Sequence, residues 1–251
     1  MPFSVDLRGV RPDQSAVVHT VLDRCFDSLR DADNLMSLWR ADTPLARLSA
    51  GRAGLGDMPL EVVDVLRRSV LARRETAGHF DARRPDGRID PTGLVKGWAL
   101  ARVGRLLLAA GFEHWCLNGA GDVLVHGHST GATETSRTGP GWTVGVSDPA
   151  DGQRLLTAVV VHDGAVATSG NAHRGEHIWA PSTGGRASGL RAASVLCSDI
   201  VRADVMATAA VARGRDAMTW LDRLDGLEAL VVYDEGGVGV TSGWPTPLVG
   251  T

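Results

Sequence analysis

The chain has 251 residues, 43% of them hydrophobic and 22% charged, with a net charge of −3; that length permits one large domain or two intimate subdomains, and the mildly acidic balance gives no basis for binding nucleic acid or an anionic membrane. No apolar run approaches the roughly 18–20 residues of a membrane helix, and the start, Met1-Pro2-Phe3-Ser4, lacks the features of a secretion signal. Cys25, Cys116 and Cys197 are odd in number and far apart, which argues against a disulfide frame or a thiolate zinc site, so the expectation is a cytoplasmic protein whose partners are small molecules or another protein.

In chain order, Phe3 to Leu7 alternates as a strand, and Asp13 to Arg30 carries Val17, Val18, Val21, Leu22, Cys25 and Leu29 at helical spacing, entered through Pro12. A short segment around Met36-Ser37-Leu38-Trp39-Arg40 follows, then a helical turn from Thr43 and an amphipathic helix from Leu60 to Thr76. Residues 94–110 read as a helix closed by Gly111, followed by strands at Glu113 to Leu117 and Val123 to Val125 about an Asn118-Gly119-Ala120-Gly121-Asp122 corner. Residues 128–141 read as a polar loop, and strands are expected at Trp142 to Val146, Leu155 to Val161 and Ala165 to Thr168. After an irregular region at 182–190 come a strand at Ala193 to Cys197, helices from Asp204 to Ala212 and Asp216 to Leu224, and strands at Leu227 to Tyr233 and Val238 to Val240. Helices and strands mix without a strict βα repeat, which predicts an α+β fold with mixed or antiparallel sheets and flanking helices.

Several groupings carry chemistry. Asp90 and Lys96 flank Gly93 across a helix start, an arrangement that can bring an acid, a cation and an unencumbered carbonyl to one mouth; an N-cap acid with a solvent lysine is the plainer alternative. Asp204 and Thr208, four apart on a helix, are a hard-oxygen pair suited to Mg²⁺, or else an acid on the helix dipole and a threonine bonded to backbone. His173-Arg174-Gly175-Glu176-His177 spells H-x-x-E-H, but the zinc reading needs a continuous helix, and Gly170, Gly175 and Pro181 favour a loop entering a short strand. His177 then becomes either a general base or a structural histidine.

The order of the pieces is specific. Met36-Ser-Leu-Trp-Arg40, Gly78-His79-Phe80-Asp81, Asp90-x-x-Gly93-x-x-Lys96-Gly97, Asn118 to Asp122, Thr168-Ser169-Gly170, His177-Ile178-x-x-Pro181 and Ala203-Asp204-x-x-Ala207-Thr208 together resemble the ApbE-like FAD:protein FMN transferases over roughly residues 30–240. The resemblance implies a T-fold-like α+β architecture with a central ligand cleft, spanning the chain as one domain. It further implies Mg²⁺-dependent transfer of FMN from FAD to a threonine or serine of an acceptor protein, with release of AMP. Hydrolysis of FAD to FMN and AMP, and non-catalytic FAD binding, are the alternatives. By position, Gly93, Asp204 and Thr208 match the metal ligands. Trp39, His79, Phe80, Asp81, Asp90, Lys96, Ser169, His177 and Ile178 match FAD-contacting positions, and His177 and Asp204 the catalytic ones. Three departures stand out: the chain starts inside the strand that usually carries a Met-Gly-Thr contact, Ala120 interrupts the usual Gly-Gly-Asp corner, and Ala180 replaces an acid.

Overall fold

The computed structural model describes residues 2–130, 139–170 and 178–245. Strand β1 (Phe3–Leu7) leads through a single 3₁₀ turn into α1 (Ser15–Met36), which is followed by α2 (Pro44–Ser49), α3 (Leu60–Glu75) and α4 (Thr92–Ala109). Then come β2 (Trp115–Gly119), β3 (Asp122–His126), β4 (Trp142–Asp148), β5 (Asp151–Val161), β6 (Gly164–Gly170), β7 (Trp179–Ala180), β8 (Gly185–Arg186) and β9 (Leu190–Cys197). The chain finishes with α5 (Ile200–Arg213), α6 (Ala217–Leu221), β10 (Leu227–Tyr233) and β11 (Val238–Val240).

Seven strands form one antiparallel sheet in the order β1-β2-β3-β6-β9-β10-β11. Strand alternation assigns its two faces. Trp115, Leu117, Ala165, Ala167, Val195, Ala229 and Val231 pack with α1, α4, α5 and α6 in the main core. Val125, Val166, Leu230 and Val232 turn to the other face, where the β4–β5 hairpin covers them with Trp142, Val144, Val146, Val159 and Val161. The small residues of β6 and β9 let α5, rich in alanine, lie close against the sheet.

A second core forms where α1, α2 and α3 meet the start of α4 and the middle of α5: Met36, Leu45, Val62, Val65, Leu94, Trp98, Val205 and Ala209 are buried there. Helices α4 and α5 therefore serve both cores, and Gly97 marks their crossing. A Cβ at Gly97 would stand 2.7 Å from the Ile200 carbonyl oxygen and 3.1 Å from the Asp204 Cβ, so only glycine permits this approach.

Most expected elements are present, with instructive shifts. Helix α5 begins at Ile200, four residues before the expected start at Asp204, because Asp199 caps it by accepting N–H bonds from Val201 (2.7 Å) and Arg202 (3.2 Å). The region expected to be irregular at 182–190 contains β8, paired with β7 in a two-stranded ladder. The β2–β3 turn requires positive φ at Ala120 (53°) as well as at Gly121 (100°), so the alanine in this corner sits in the left-handed region that favours glycine.

Candidate functional site

A cleft of about 920 Å³ opens at the end of the large sheet where the β2–β3 turn, the end of β6, the first turn of α4 and the middle of α5 converge. That is near the upper end of small-molecule sites. Pro2, Phe3 and Ser4 at the start of β1 line it on one side, and residues 143–145 and 147–149 of β4 and its turn on another. The Pro2 carbonyl accepts the Ala120 N–H at 3.0 Å, so the beginning of β1 fastens the strained corner and itself forms cleft wall.

The acid at the centre is Asp204, buried to 2% exposure. Its Oδ2 accepts the Gly97 N–H at 2.9 Å across the α4–α5 crossing. In a regular helix that N–H belongs to the Gly93 carbonyl, so Asp204 competes with this carbonyl for the proton. One turn along α5, Thr208 Oγ1 lies 2.9 Å from Ser169 Oγ. Gly93 is pressed against the same threonine: a Cβ there would fall 2.9 Å from both Thr208 Oγ1 and Thr208 Cγ2. A carboxylate, two hydroxyls and a competed-for carbonyl are thus brought to one corner. All are hard oxygen donors, which fits Mg²⁺ and not a soft metal. Among the described residues no three His, Cys, Asp or Glu side chains gather into a metal-holding group.

Lys96 is no solvent lysine. Its side chain is 14% exposed and its Nζ lies 2.6 Å from Oδ2 of Asp122, which is fully buried. Asp122 Oδ1 accepts the Thr168 N–H at 3.0 Å, so the corner after β2 orients the lysine and ties it to β6. Asp90 lines the cleft and does not cap α4, whose N-cap is Pro91: its Oδ1 accepts the N–H (3.1 Å) and hydroxyl (2.6 Å) of Thr92 at the start of the helix, and its Oδ2 pairs with Arg84 at 3.2 Å.

The turn after α3 presents His79, Phe80 and Asp81 to the cleft. Buried Thr76 builds it, accepting the Phe80 N–H at 2.9 Å while donating to the Ala72 carbonyl at 2.8 Å. Phe80 roots in the second core, and Asp81 is held by Arg73 at 2.7 Å. Burial first, and the Arg213 charge second, lower the pKa of His79. Cys116 also lines the cleft, but burial foremost, with Asp6 adding to it, pushes its thiol up to about 11, so it is no nucleophile at neutral pH.

Of the residues expected from sequence, His79, Phe80, Asp81, Asp90, Gly93, Lys96, Ser169, Ile178, Asp204 and Thr208 line this one cleft. Trp39 does not join them: its loop is tied down by the Thr43 hydroxyl on the Ser37 carbonyl (2.7 Å) and by Arg52 on the Ala41 carbonyl, and the indole is 94% exposed. His177 and the rest of the H-x-x-E-H pattern lie outside the described residues, although β7 does follow at Trp179. Sequence reasoning missed the β4 wall; the first strand was expected to have its usual contact missing or replaced, and its start does line the cleft. Alternation tells which face a residue occupies, and no pattern told that β4 would border a cleft.

A model of the ApbE family matches residues 82–231, a span that holds Gly93, Lys96, Asp122, Ser169, Asp204 and Thr208. No curated protein sequence matches the chain. Among solved structures, the flavin transferase ApbE from Vibrio cholerae is 19% identical with a TM-score of 0.73, covering 96% of this chain and 93% of its own. The apo form of the Pseudomonas stutzeri flavinyl transferase ApbE is 19% identical with a TM-score of 0.77, covering 96% and 91%. The ApbE protein from Thermotoga maritima is 18% identical with a TM-score of 0.77, covering 95% and 92%. At these identities the structural likeness establishes the fold. With the family match over more than half its length, the chain belongs to the ApbE family.

Proposed function

We propose that the protein is a flavin transferase that moves FMN from FAD to a threonine or serine of an acceptor protein and releases AMP, with Mg²⁺ held at the Asp204 corner. The observation that carries this reading is the hydrogen bond from Gly97 to Asp204. It anchors a buried carboxylate against the first turns of α4 and sets it beside Thr208, Ser169 and the Gly93 carbonyl.

In this reading the N-terminal turn of α4 and the ammonium of Lys96 bind the diphosphate of FAD, where a helix N-terminus and a point charge favour an anion. Asp122 holds Lys96 in place. Gly93, Asp204 and Thr208 hold the Mg²⁺, which when bound supplies neutralisation of charge on the pyrophosphate. The acceptor hydroxyl oxygen forms a bond to the FMN-side phosphorus, the bond from that phosphorus to the bridging oxygen breaks, and AMP departs with that oxygen. His177 is the proposed acceptor of the hydroxyl proton, as the resemblance implies. Phe80 and Ile178 supply apolar wall to the cleft.

The test is incubation with FAD, Mg²⁺ and a peptide carrying a threonine or serine acceptor, with AMP measured by chromatography and the peptide by mass. AMP release together with a peptide heavier by one FMN is expected. AMP and free FMN with an unmodified peptide would make the protein an FAD pyrophosphatase, and no AMP with any divalent cation would make it a flavin-binding protein.

A further inference from the structure

Arg213 ends α5, the helix that carries Asp204 and Thr208 into the cleft, but its own side chain turns to His79. Its Nη1 lies 2.9 Å from His79 Nε2, and its Cζ stands 5.4 Å from the centroid of the Trp220 ring. The His79 and Trp220 rings are 6.0 Å apart and tilted by 50°. A guanidinium over an indole face is held by its charge and its plane. It has five N–H donors, no acceptor, and does not lose its proton. The 2.9 Å contact can therefore have only one sense: Arg213 donates and His79 Nε2 accepts.

An imidazole whose Nε2 offers its lone pair carries its proton on Nδ1. The turn that carries the ring is itself fixed, since the His79 N–H donates to the Thr76 carbonyl at 3.1 Å and the next N–H goes to the Thr76 hydroxyl, and the ring's own contacts are with Arg213 and Trp220. The one neighbouring acid on the same turn, Asp81, is engaged by Arg73 and by the Arg83 N–H. We infer that Arg213 is a positioning residue that fixes His79 as the neutral Nδ1–H tautomer, so that His79 offers the cleft a hydrogen-bond donor and selects a ligand presenting an acceptor there. The lowered pKa of His79 agrees, since its causes, burial and then Arg213, both oppose the imidazolium.

A ring carbonyl or an unprotonated ring nitrogen satisfies this donor, whereas an amino group meets it donor to donor. The inference rests on the flavin-transfer reading only for the identity of that ligand. In FAD both halves carry such acceptors, and binding of FMN and of AMP separately tells which half is read.

The first measurement is ¹⁵N NMR of the His79 imidazole in the intact protein at pH 7.5, which needs no ligand. A protonated Nδ1 with an unprotonated Nε2 is expected, and the Nε2–H tautomer or an imidazolium would overturn the inference. The second compares Arg213→Met with Arg213→Lys. The Met variant should bind FMN or AMP about tenfold more weakly, the size of one lost hydrogen bond, with a higher His79 pKa and an unchanged kcat for AMP release. The Lys variant, which keeps a donor, should recover most of the affinity. Unchanged affinity of the Met variant for both halves would contradict the inference. If the wild-type protein binds neither half, the flavin reading fails, while the NMR result still decides the tautomer.

Discussion

At the scale of single residues the cleft depends on contacts with no slack. Gly93 has Thr208 and Phe80 within 2.9 and 3.2 Å of where a Cβ would be. Gly93→Ala therefore displaces Thr208 from Ser169, and AMP release from FAD should fall about tenfold or more, since small displacements at a reacting centre are costly. Net destabilisation should be only about 1 kcal/mol, because an overpacking cost of ~1–3 kcal/mol is offset by ~1 kcal/mol of helix propensity. Parallel denaturant melts and rate measurements distinguish this from simple unfolding. Ala120, at φ 53°, makes the opposite case. Ala120→Gly relieves left-handed strain of about 1–2 kcal/mol at an entropic cost of about 0.4–1 kcal/mol, so a gain of about 0.5–1 kcal/mol is expected in a urea melt.

At the scale of elements, helices α3 and α4 were legible almost to the residue because their apolar positions recur at helical spacing. Helix α5 was read four residues short. Ile200 and Ala203 are buried in its first turn, but the start is set by the Asp199 side chain, a cap that periodicity does not register. Asp199→Ala should cost about 1 kcal/mol, measured by chemical denaturation, with the helix fraying first at Ile200 and Val201 in hydrogen exchange. Strand β7 falls where a short strand was expected after the His177 loop, whereas β8 was not legible, since pairing with β7 defines it and no pattern fits in two residues. The candidate site was legible as residue types and order, through the resemblance, and not as geometry. The bond from Gly97 to Asp204 spans 107 positions in the chain, and nothing local to either residue announces it.

At the scale of the whole molecule, the antiparallel sheet carries helices on one face and the β4–β5 hairpin on the other, and the cleft lies where these layers end together. Leu29, Val201 and Trp220 pack against both helical cores, and α4 and α5 are shared between them. One cooperative thermal transition is therefore expected in calorimetry, and two well-separated transitions would show that the helical region melts on its own. No helix among the described residues is long and apolar enough to cross a membrane.

The most direct test of the proposed chemistry is AMP release from FAD in Mg²⁺ by the wild-type protein and by Asp204→Asn. The asparagine side-chain oxygen can still accept the Gly97 N–H, so the fold should persist, while the charge that holds the cation is gone. We expect Mg²⁺-dependent AMP release by the wild type, abolished by chelation, and a rate at least about 100-fold lower in the variant, the effect of losing several kcal/mol of charge stabilisation. Wild-type rates in folded Asp204→Asn would contradict the account.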